Sequence, residues 1–252
     1  MNAFDRLGNQ LEGRGRTILY GLAAVVALTA LAGLWSWWSG QRADEARRAL
    51  GHAIEIAEAR VEPSPASGTT VPGAITFPTE RERAQKAFEE FQNVAAKYPD
   101  PYREKARYFA AVNLLPLDRN RGLSELEALA KNAGTETVSW AKFALAQARE
   151  ADGQYDQASA LYSELAKQSD EFVPHDTVNL RLAAIYERQG KKNEAADIIF
   201  QIVESARKAK DQNGKPLPES PTVREAAQKL QSLDPARSAQ LPPEPPASNL
   251  PF

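Results

Sequence analysis

The sequence predicts an all-α protein: a single N-terminal transmembrane helix, then an α-solenoid of about four degenerate helical hairpins and a capping helix. Three observations predict this fold class. Residues 17–41 carry no charge, a spaced set of small and large residues recurs along the rest of the chain, and no stretch alternates polar and apolar residues as a half-buried strand does. The predicted domains are a leader at 1–16, the span at 17–41, the solenoid at 42–233 with a proline-rich loop at 62–78, and a disordered proline-rich tail at 234–252.

The predicted span, 17–41, lies between two arginines. Its apolar part, 17–38, would form a helix of about 33 Å at ~1.5 Å per residue, which is enough to cross a hydrocarbon core of roughly 30 Å. Three tryptophans lie within 35–38, at the end of the predicted span, where amphipathic aromatic rings are typical of the lipid headgroup region. A cleaved signal peptide with a small-residue site at 30–32 is the alternative. The apolar run is longer than the core of a signal peptide, so we expect the span to stay attached.

Arginines flank the span equally, so the positive-inside rule does not decide its orientation. Long domains translocate largely regardless of charge, whereas a short leader counts fully. We therefore expect the leader in the cytoplasm and the large domain outside it. If the tie resolved the other way, the domain would be a cytoplasmic-facing assembly factor. The flanking arginines are Arg6, Arg14, Arg16, Arg42, Arg47 and Arg48.

The composition excludes several classes of function. Lys and Arg number 31 against 33 Asp and Glu, so no excess of positive charge is available for nucleic-acid phosphates. The chain has no cysteine and two histidines, and it lacks HExxH, GxSxG, P-loop and GxGxxG motifs. The Pro-His-Asp at 174–176 indicates a turn and a helix start rather than an acid–base pair. We expect no catalytic residues, no metal site, no cofactor and no binding of nucleic acid.

Two helices are predicted on either side of the proline-rich loop. From Arg42 to Val61, small and apolar residues recur at alternating steps of three and four, which predicts a helix with one buried face. Four prolines and two glycines then interrupt 62–78, which predicts a long loop without helix or strand pairing. Thr79 opens a helix that ends before Pro99, with Glu82 at capping-box spacing. We expect these two helices to form the first hairpin.

The chain repeats a small residue followed four and seven positions later by large ones. The small residue returns after 35, 36 and 37 residues, the size of a helical hairpin, and a large–small pair precedes each of the last three by 12 residues. Small residues let antiparallel helices approach, and each hairpin leaves an apolar face for its neighbour. The sets are Ala87, Phe91 and Val94; Gly122, Leu126 and Leu129; Ala158, Tyr162 and Leu165; and Ala195, Ile199 and Ile202. The pairs are Phe109–Ala110, Leu145–Ala146 and Leu182–Ala183.

Prolines and glycines mark the expected helix ends. A last helix should begin at Ser220 and Pro221 and cap the open end of the stack, with Val223, Ala227 and Leu230 on one face. The predicted breaks are 116–122, 131–134, 153, 169–174, 190 and 211–221.

This ladder resembles the tetratricopeptide repeat, in which leucine-glycine-x2-tyrosine lies on the first helix and alanine-x3-phenylalanine on the second. The clearest instances are Leu182-Ala183-x2-Tyr186 with Gly190 and Ala195, and Leu145-Ala146 with Gly153, Tyr155 and Ala158. The two earlier units are degenerate. The second has Gly122 where alanine is usual, and the first is interrupted by the proline-rich loop.

The layout of leader, span, stalk helix and hairpins is similar to the ancillary Sec-translocon subunit family of bacteria (YfgM-like), over roughly residues 1–210. The chain departs from that family in the loop at 62–78 and in the proline-rich tail. The resemblance implies a single-pass protein of the bacterial plasma (inner) membrane, with its C-terminal domain in the periplasm.

In tetratricopeptide stacks the first helices of the hairpins line a groove, so the resemblance implies a partner-binding face. Trp140 and Phe143 stand out because aromatic rings near an arginine are typical of binding hot spots. The alternative is that both rings pack inside the stack, since the segment 140–148 is apolar nearly all round. The candidate groove residues are Arg107, Trp140, Phe143, Gln147, Thr177, Leu180 and Arg188.

We expect a membrane-anchored, non-enzymatic scaffold that binds other proteins. The resemblance implies a place at the translocon, where the scaffold would assist secreted or envelope proteins in a chaperone-like role. The alternative is a structural subunit of a large bacterial membrane complex. A groove for transient clients should expose Trp140 and Phe143, whereas a structural subunit should bury its convex side or its loops. The lipid bilayer is the second expected partner, through 17–41.

Overall fold

The computed structural model describes residues 28–29, 40–62, 75–168 and 172–245. The chain divides into two compact units, Met1–Ile54 and Glu55–Phe252. The predicted leader and most of the predicted span lie outside the described residues. Among the residues that are described, no helix is long and apolar enough to cross a membrane.

The second unit is a stack of helices. The helix α1 covers residues 40–57. In the second unit, consecutive helices contact each other across mostly short connections, as antiparallel hairpins do. This arrangement confirms the predicted helical-repeat fold of the tetratricopeptide type. The elements are β1 (Arg60–Val61), β2 (Thr76–Phe77), α2 (Glu80–Lys97), α3 (Tyr102–Leu114), α4 (Arg119–Asn132), α5 (Thr135–Ala151), α6 (Tyr155–Lys167), α7 (His175–Arg188), α8 (Lys192–Lys208), α9 (Pro221–Leu233) and α10 (Pro235–Ser238).

Side-chain caps set the starts of α2 and α9. Thr79 Oγ1 accepts a hydrogen bond from the Glu82 N–H at 3.1 Å, and Ser220 Oγ accepts one from the Val223 N–H at 3.2 Å. Pro221 fills the first helical position of α9, where a missing N–H leaves no hydrogen bond unmade. The predicted starts of these two helices are confirmed.

Glycines set the ends of two helices and the approach of two others. Gly153 and Gly190 follow α5 and α7 with φ of 73° and 78°, a conformation that favours glycine after a helix. Gly122 lies inside α4, so the predicted break ends before it. A Cβ on Gly122 would meet the Leu115 side chain at 2.9 Å and its backbone nitrogen at 3.0 Å. Glycine at this point lets α4 approach the turn that follows α3.

A short strand just before the proline-rich loop pairs with the last residues of the loop, so the prediction that the loop forms no ladder is wrong there. β1 and β2 are parallel, with Arg60 opposite Thr76 and Val61 opposite Phe77, and the Glu62 N–H donates to the Phe77 carbonyl at 2.9 Å. The preceding helix ends at residue 57, earlier than predicted, because these β-branched and aromatic residues also suit extended pairing. The predicted first hairpin would join the two units and stays a prediction.

The recurring small and large residues form the core of the second unit, which confirms the predicted register. Ala87, Phe91, Ala158, Tyr162 and Ala195 have no exposed surface. Three apolar clusters follow one another, built from α3–α5, α5–α7 and α7–α9. The first helices α5 and α7 therefore each contribute to the clusters on both of their sides, and α9 covers the last cluster at the place predicted for a capping helix.

Residues 234–245 pack on the last helices, so the predicted disorder of the tail does not hold for them. The Arg237 guanidinium pairs with a carboxylate of α8 at 2.8 Å, and the Arg207 guanidinium donates to the Pro242 carbonyl at 2.7 Å. A proline-rich composition indicates disorder because proline lacks an N–H, but its carbonyl still accepts hydrogen bonds. Residues 246–252 lie outside the described residues.

Candidate protein-binding surface

The first helices α3, α5 and α7 carry all seven predicted groove residues, but these residues are divided among separate places. Gln147 and Arg188 line a pocket of about 350 Å³ between α5 and α7, the α5–α7 pocket. Thr177 and Leu180 line a pocket of about 260 Å³ between α7 and α9, the α7–α9 pocket. Arg107 lies in a pocket of about 480 Å³ among α2, α3 and α4, the α2–α4 pocket.

The α5–α7 pocket contains two guanidinium groups, one carboxylate and one phenol. Its lining includes Gln147 and Glu150 of α5, Tyr155 at the start of α6, and Arg181 and Arg188 of α7. Arg188 Nη1 donates to the Tyr155 hydroxyl at 3.3 Å, and its guanidinium carbon lies 5.8 Å from the ring centroid. Arg181 Nη1 lies 4.0 Å from Glu150 Oε1. Two guanidinium groups with such loose partners can donate hydrogen bonds to a carboxylate of a bound protein.

A buried tyrosine fixes the carboxylate of this pocket. Tyr162 has no exposed surface, and its hydroxyl donates to Glu150 Oε2 at 3.2 Å. Burial raises the pKa of Tyr162 well above its usual value, and the negative charge of Glu150 raises it further. The hydroxyl therefore keeps its proton even where a free tyrosine would release it, and it holds one oxygen of Glu150. This hydrogen bond limits how far the carboxylate can turn towards Arg181.

Arg181 connects the two pockets on α7, and it was not among the predicted groove residues. It lines both pockets, and 51% of its side chain is exposed. The predicted groove residues on α7 step by three from Thr177 to Leu180, whereas Arg181 is the i+4 neighbour of Thr177 on the same helix face. A step of four from Thr177 would have included Arg181.

The capping helix supplies the opposite wall of the α7–α9 pocket, which the repeat pattern did not indicate. Thr222, Glu225 and Lys229 of α9 face Leu180 and its neighbours on α7. Lys229 Nζ pairs with a Glu187 carboxylate oxygen at 2.8 Å. The surface therefore continues beyond the last hairpin and carries charges of both signs.

Trp140 and Phe143 are half-buried and take part in helix–helix contacts. The Trp140 ring lies 5.5 Å from the Tyr108 ring, and its Nε1 donates to the Phe172 carbonyl at 3.2 Å. Phe143 meets Tyr162 edge-on, with ring centroids 5.8 Å apart. These contacts agree with the alternative that both rings pack inside the stack. Part of each ring stays exposed, and its role in binding stays a prediction.

Arg107 lies in a pocket whose lining includes none of the other groove residues. The walls of this pocket are α2 and α4, which are second helices in the repeat register, with the first helix α3 between them. Arg107 Nη2 pairs with Glu125 Oε2 at 3.1 Å. The α2–α4 pocket is therefore not a continuation of a groove built from first helices.

The described polar groups suit recognition. Across 40–62, 75–168 and 172–245, no group of three or more His, Cys, Asp or Glu residues is placed to hold a metal ion. The α5–α7 and α7–α9 pockets combine guanidinium, ammonium, carboxylate and amide groups with small apolar residues. Such a mixture is typical of the rim and core of a protein interface.

Comparison with known proteins finds similarity to solved structures only. No family model and no curated protein matches the chain. The chain is similar to a crystal structure of nearly identical TPR-like repeats from Podosopora anserina, assigned there as a kinesin light chain, at 20% identity over 64% of this chain and 82% of that chain, with a TM-score of 0.47. A variant of the same repeats gives 19% identity with the same coverage and TM-score. The fold assignment rests on the helix contacts and the repeat register.

Proposed function

We propose that the protein is a non-enzymatic scaffold that binds other proteins through the α5–α7 and α7–α9 pockets. One observation carries the proposal. The half-exposed guanidinium of Arg181 lines both pockets, and its ion-pair partner Glu150 is 4.0 Å away. Arginine is among the residues enriched in binding hot spots, and a helical-repeat stack presents an extended surface along its first helices.

The surface favours a partner segment with an acidic side chain next to an apolar one. Arg181 and Arg188 can each donate two hydrogen bonds to one carboxylate. Leu180 and Ala184 offer an apolar floor beside Arg181 in the α7–α9 pocket. Both guanidinium groups lie near solvent, so their attraction for a carboxylate is screened by salt. Binding should therefore weaken as the salt concentration rises.

We further propose that residues 17–41 anchor the protein in a bacterial inner membrane, with the helical unit in the periplasm. The support is the uncharged run with its tryptophans and the resemblance to the ancillary Sec-translocon subunits. In that position the scaffold would assist secreted or envelope proteins near the translocon. Protease added to intact spheroplasts should digest the helical unit. Protection until lysis would overturn the topology.

A photo-crosslinking amino acid at Gln147 tests the binding surface in the cells that make the protein. Gln147 is exposed in the α5–α7 pocket, and Ala160, exposed on the second helix α6, is the matched control position. We expect adducts at Gln147 that disappear with Arg181→Glu and Arg188→Glu. A set of changing clients supports the scaffold, and a single stoichiometric adduct indicates the structural subunit. Equal adducts at Ala160 would refute the assignment of the surface.

A further inference from the structure

The α2–α4 pocket interrupts the regular packing of the stack. It has a volume of about 480 Å³ and lies among three successive helices. Phe88 of α2 and Ala111 of α3 are apolar parts of its lining, and Arg107, Arg121 and Glu125 are the charged parts. It is the largest of the three pockets described above, and neither the α5–α7 nor the α7–α9 pocket shares a residue with it.

The repeat register shows what closes the equivalent space at later steps. Leu161 of α6 packs against the α3–α5 cluster and the α5–α7 cluster. Ile198 of α8 packs against the α5–α7 cluster and the α7–α9 cluster. Each of these side chains therefore connects one hairpin to the hairpin before it. The corresponding residue of α4 is Glu125, because Glu125, Leu161 and Ile198 each lie three residues after the small residue of their helix.

The residue that faces Glu125 from the first helix, Arg107, is also charged where the later hairpins have an apolar residue. Arg107, Phe143 and Leu180 each lie three residues before the small residue of their large–small pair, and the partners are 18 residues apart in every hairpin. Two hairpins thus have apolar pairs at these positions, and α3–α4 has an ion pair. Its oxygen–nitrogen distance is 3.1 Å, and its side chains are 45% and 51% exposed. The charged pair stays near solvent because burying it would cost desolvation energy.

The pocket is therefore the space that a leucine-sized side chain fills at the next two steps. Glu125 cannot close it without losing its hydration, and the small side chains of Ala110 and Ala111 leave its floor open. Its rim carries two guanidinium groups against one carboxylate. Arg121 is 66% exposed, and its guanidinium lies 4.0 Å from Asp118 in its own turn. The positive charge of this rim attracts an acidic residue of a partner protein and repels a basic one.

We infer that the α2–α4 pocket is a second docking site, which takes one leucine-sized side chain of a partner protein with an acidic residue beside it. The site is built from second helices on both sides, so it can be occupied independently of the surface around Arg181. The partner's side chain would make here the apolar contact that Leu161 and Ile198 make at the equivalent positions of the next two hairpins.

Peptide binding to the full chain in mild detergent tests this site. The probe is the acetylated and amidated hexapeptide Gly-Ser-Leu-Asp-Ser-Gly. One control peptide has serine for its leucine, and the other has lysine for its aspartate. Methyl NMR signals of Ala110, Ala111 and Leu114 report occupation. We expect saturable shifts at these methyl groups, and roughly tenfold weaker binding of each control peptide. The absence of saturable shifts up to about 5 mM peptide would overturn the site, because even small ligands with a buried apolar group bind in that range.

The variant Glu125→Leu distinguishes a pocket that binds a partner from a pocket that is only a packing defect. The new leucine should close the pocket from within, so we expect a higher melting temperature together with about tenfold weaker binding of the probe. Ala160→Leu adds the same side chain at an exposed position of α6 and should leave probe binding unchanged. Unchanged binding to Glu125→Leu, or a lower melting temperature, would overturn the inference. Adducts at Gln147 do not depend on this pocket, so the proposed function would stand.

Discussion

The substitution Ala158→Leu tests the register on which the whole description of the stack depends. Ala158 has no exposed surface and lies in the α5–α7 cluster with Ala146 of the facing helix. A leucine there adds three carbon atoms at a fully buried position between α5 and α6. Overpacking of this kind costs about 1–3 kcal/mol. For a chain of this size, a loss of about 2 kcal/mol lowers the melting temperature by about 4–8 °C.

Ala160→Leu is the matched control, because Ala160 lies on the same helix and is exposed. A surface change of this kind should alter the free energy of unfolding by less than about 0.5 kcal/mol. Urea unfolding of the full chain in mild detergent, followed by helical circular dichroism, measures both variants. If Ala158→Leu were as stable as Ala160→Leu, Ala158 would not be tightly packed and the register would be wrong.

Three further predictions concern single contacts. Gly122→Ala should lower the free energy of unfolding by about 1–3 kcal/mol, because its Cβ would meet Leu115 atoms at 2.9 and 3.0 Å; equal urea midpoints would refute the close approach. Arg207→Met should cost about 3–5 kcal/mol, since it leaves the carboxylate of Glu219, 4% exposed, without its partner. Adding Glu219→Leu should restore most of the loss, and a single variant as stable as the wild type would contradict the buried pair. Burial holds the pKa of Tyr162 above the unfolded value of about 10, so only the unfolded state releases this proton as the pH rises past that value. Stability should therefore fall above about pH 10, less steeply in Tyr162→Phe, and identical slopes would contradict the raised pKa.

The ladder of small and large residues could be predicted because it follows from helix geometry alone. Ala158 and Tyr162 lie one turn apart on one face of α6, and the same spacing returns at each hairpin. The caps at Thr79 and Ser220 could be predicted for the same reason, since a cap involves residues within one turn. Interactions this local leave a regular trace in the sequence.

The candidate surface could be predicted only in part because it depends on distances between helices. Gln147 and Arg188 line one pocket, but the place of Arg181 is set by how α7 packs between α5 and α9. The docking of the tail rests on contacts such as Arg207 to Pro242, which join residues far apart in the chain. No spacing rule reports such contacts.

The binding constant of a crosslinked partner for purified variants tests the central claim most directly. Arg181→Ala with Arg188→Ala removes the guanidinium groups of the α5–α7 pocket, and Lys167→Ala with Lys192→Ala removes two exposed charges from second helices. We expect the first pair to weaken binding about tenfold or more and to reduce its salt dependence, because charge-assisted contacts at a hot spot are lost. The second pair should leave affinity within about twofold of the wild type. Equal effects of the two pairs would contradict a protein-binding surface at Arg181 and Arg188.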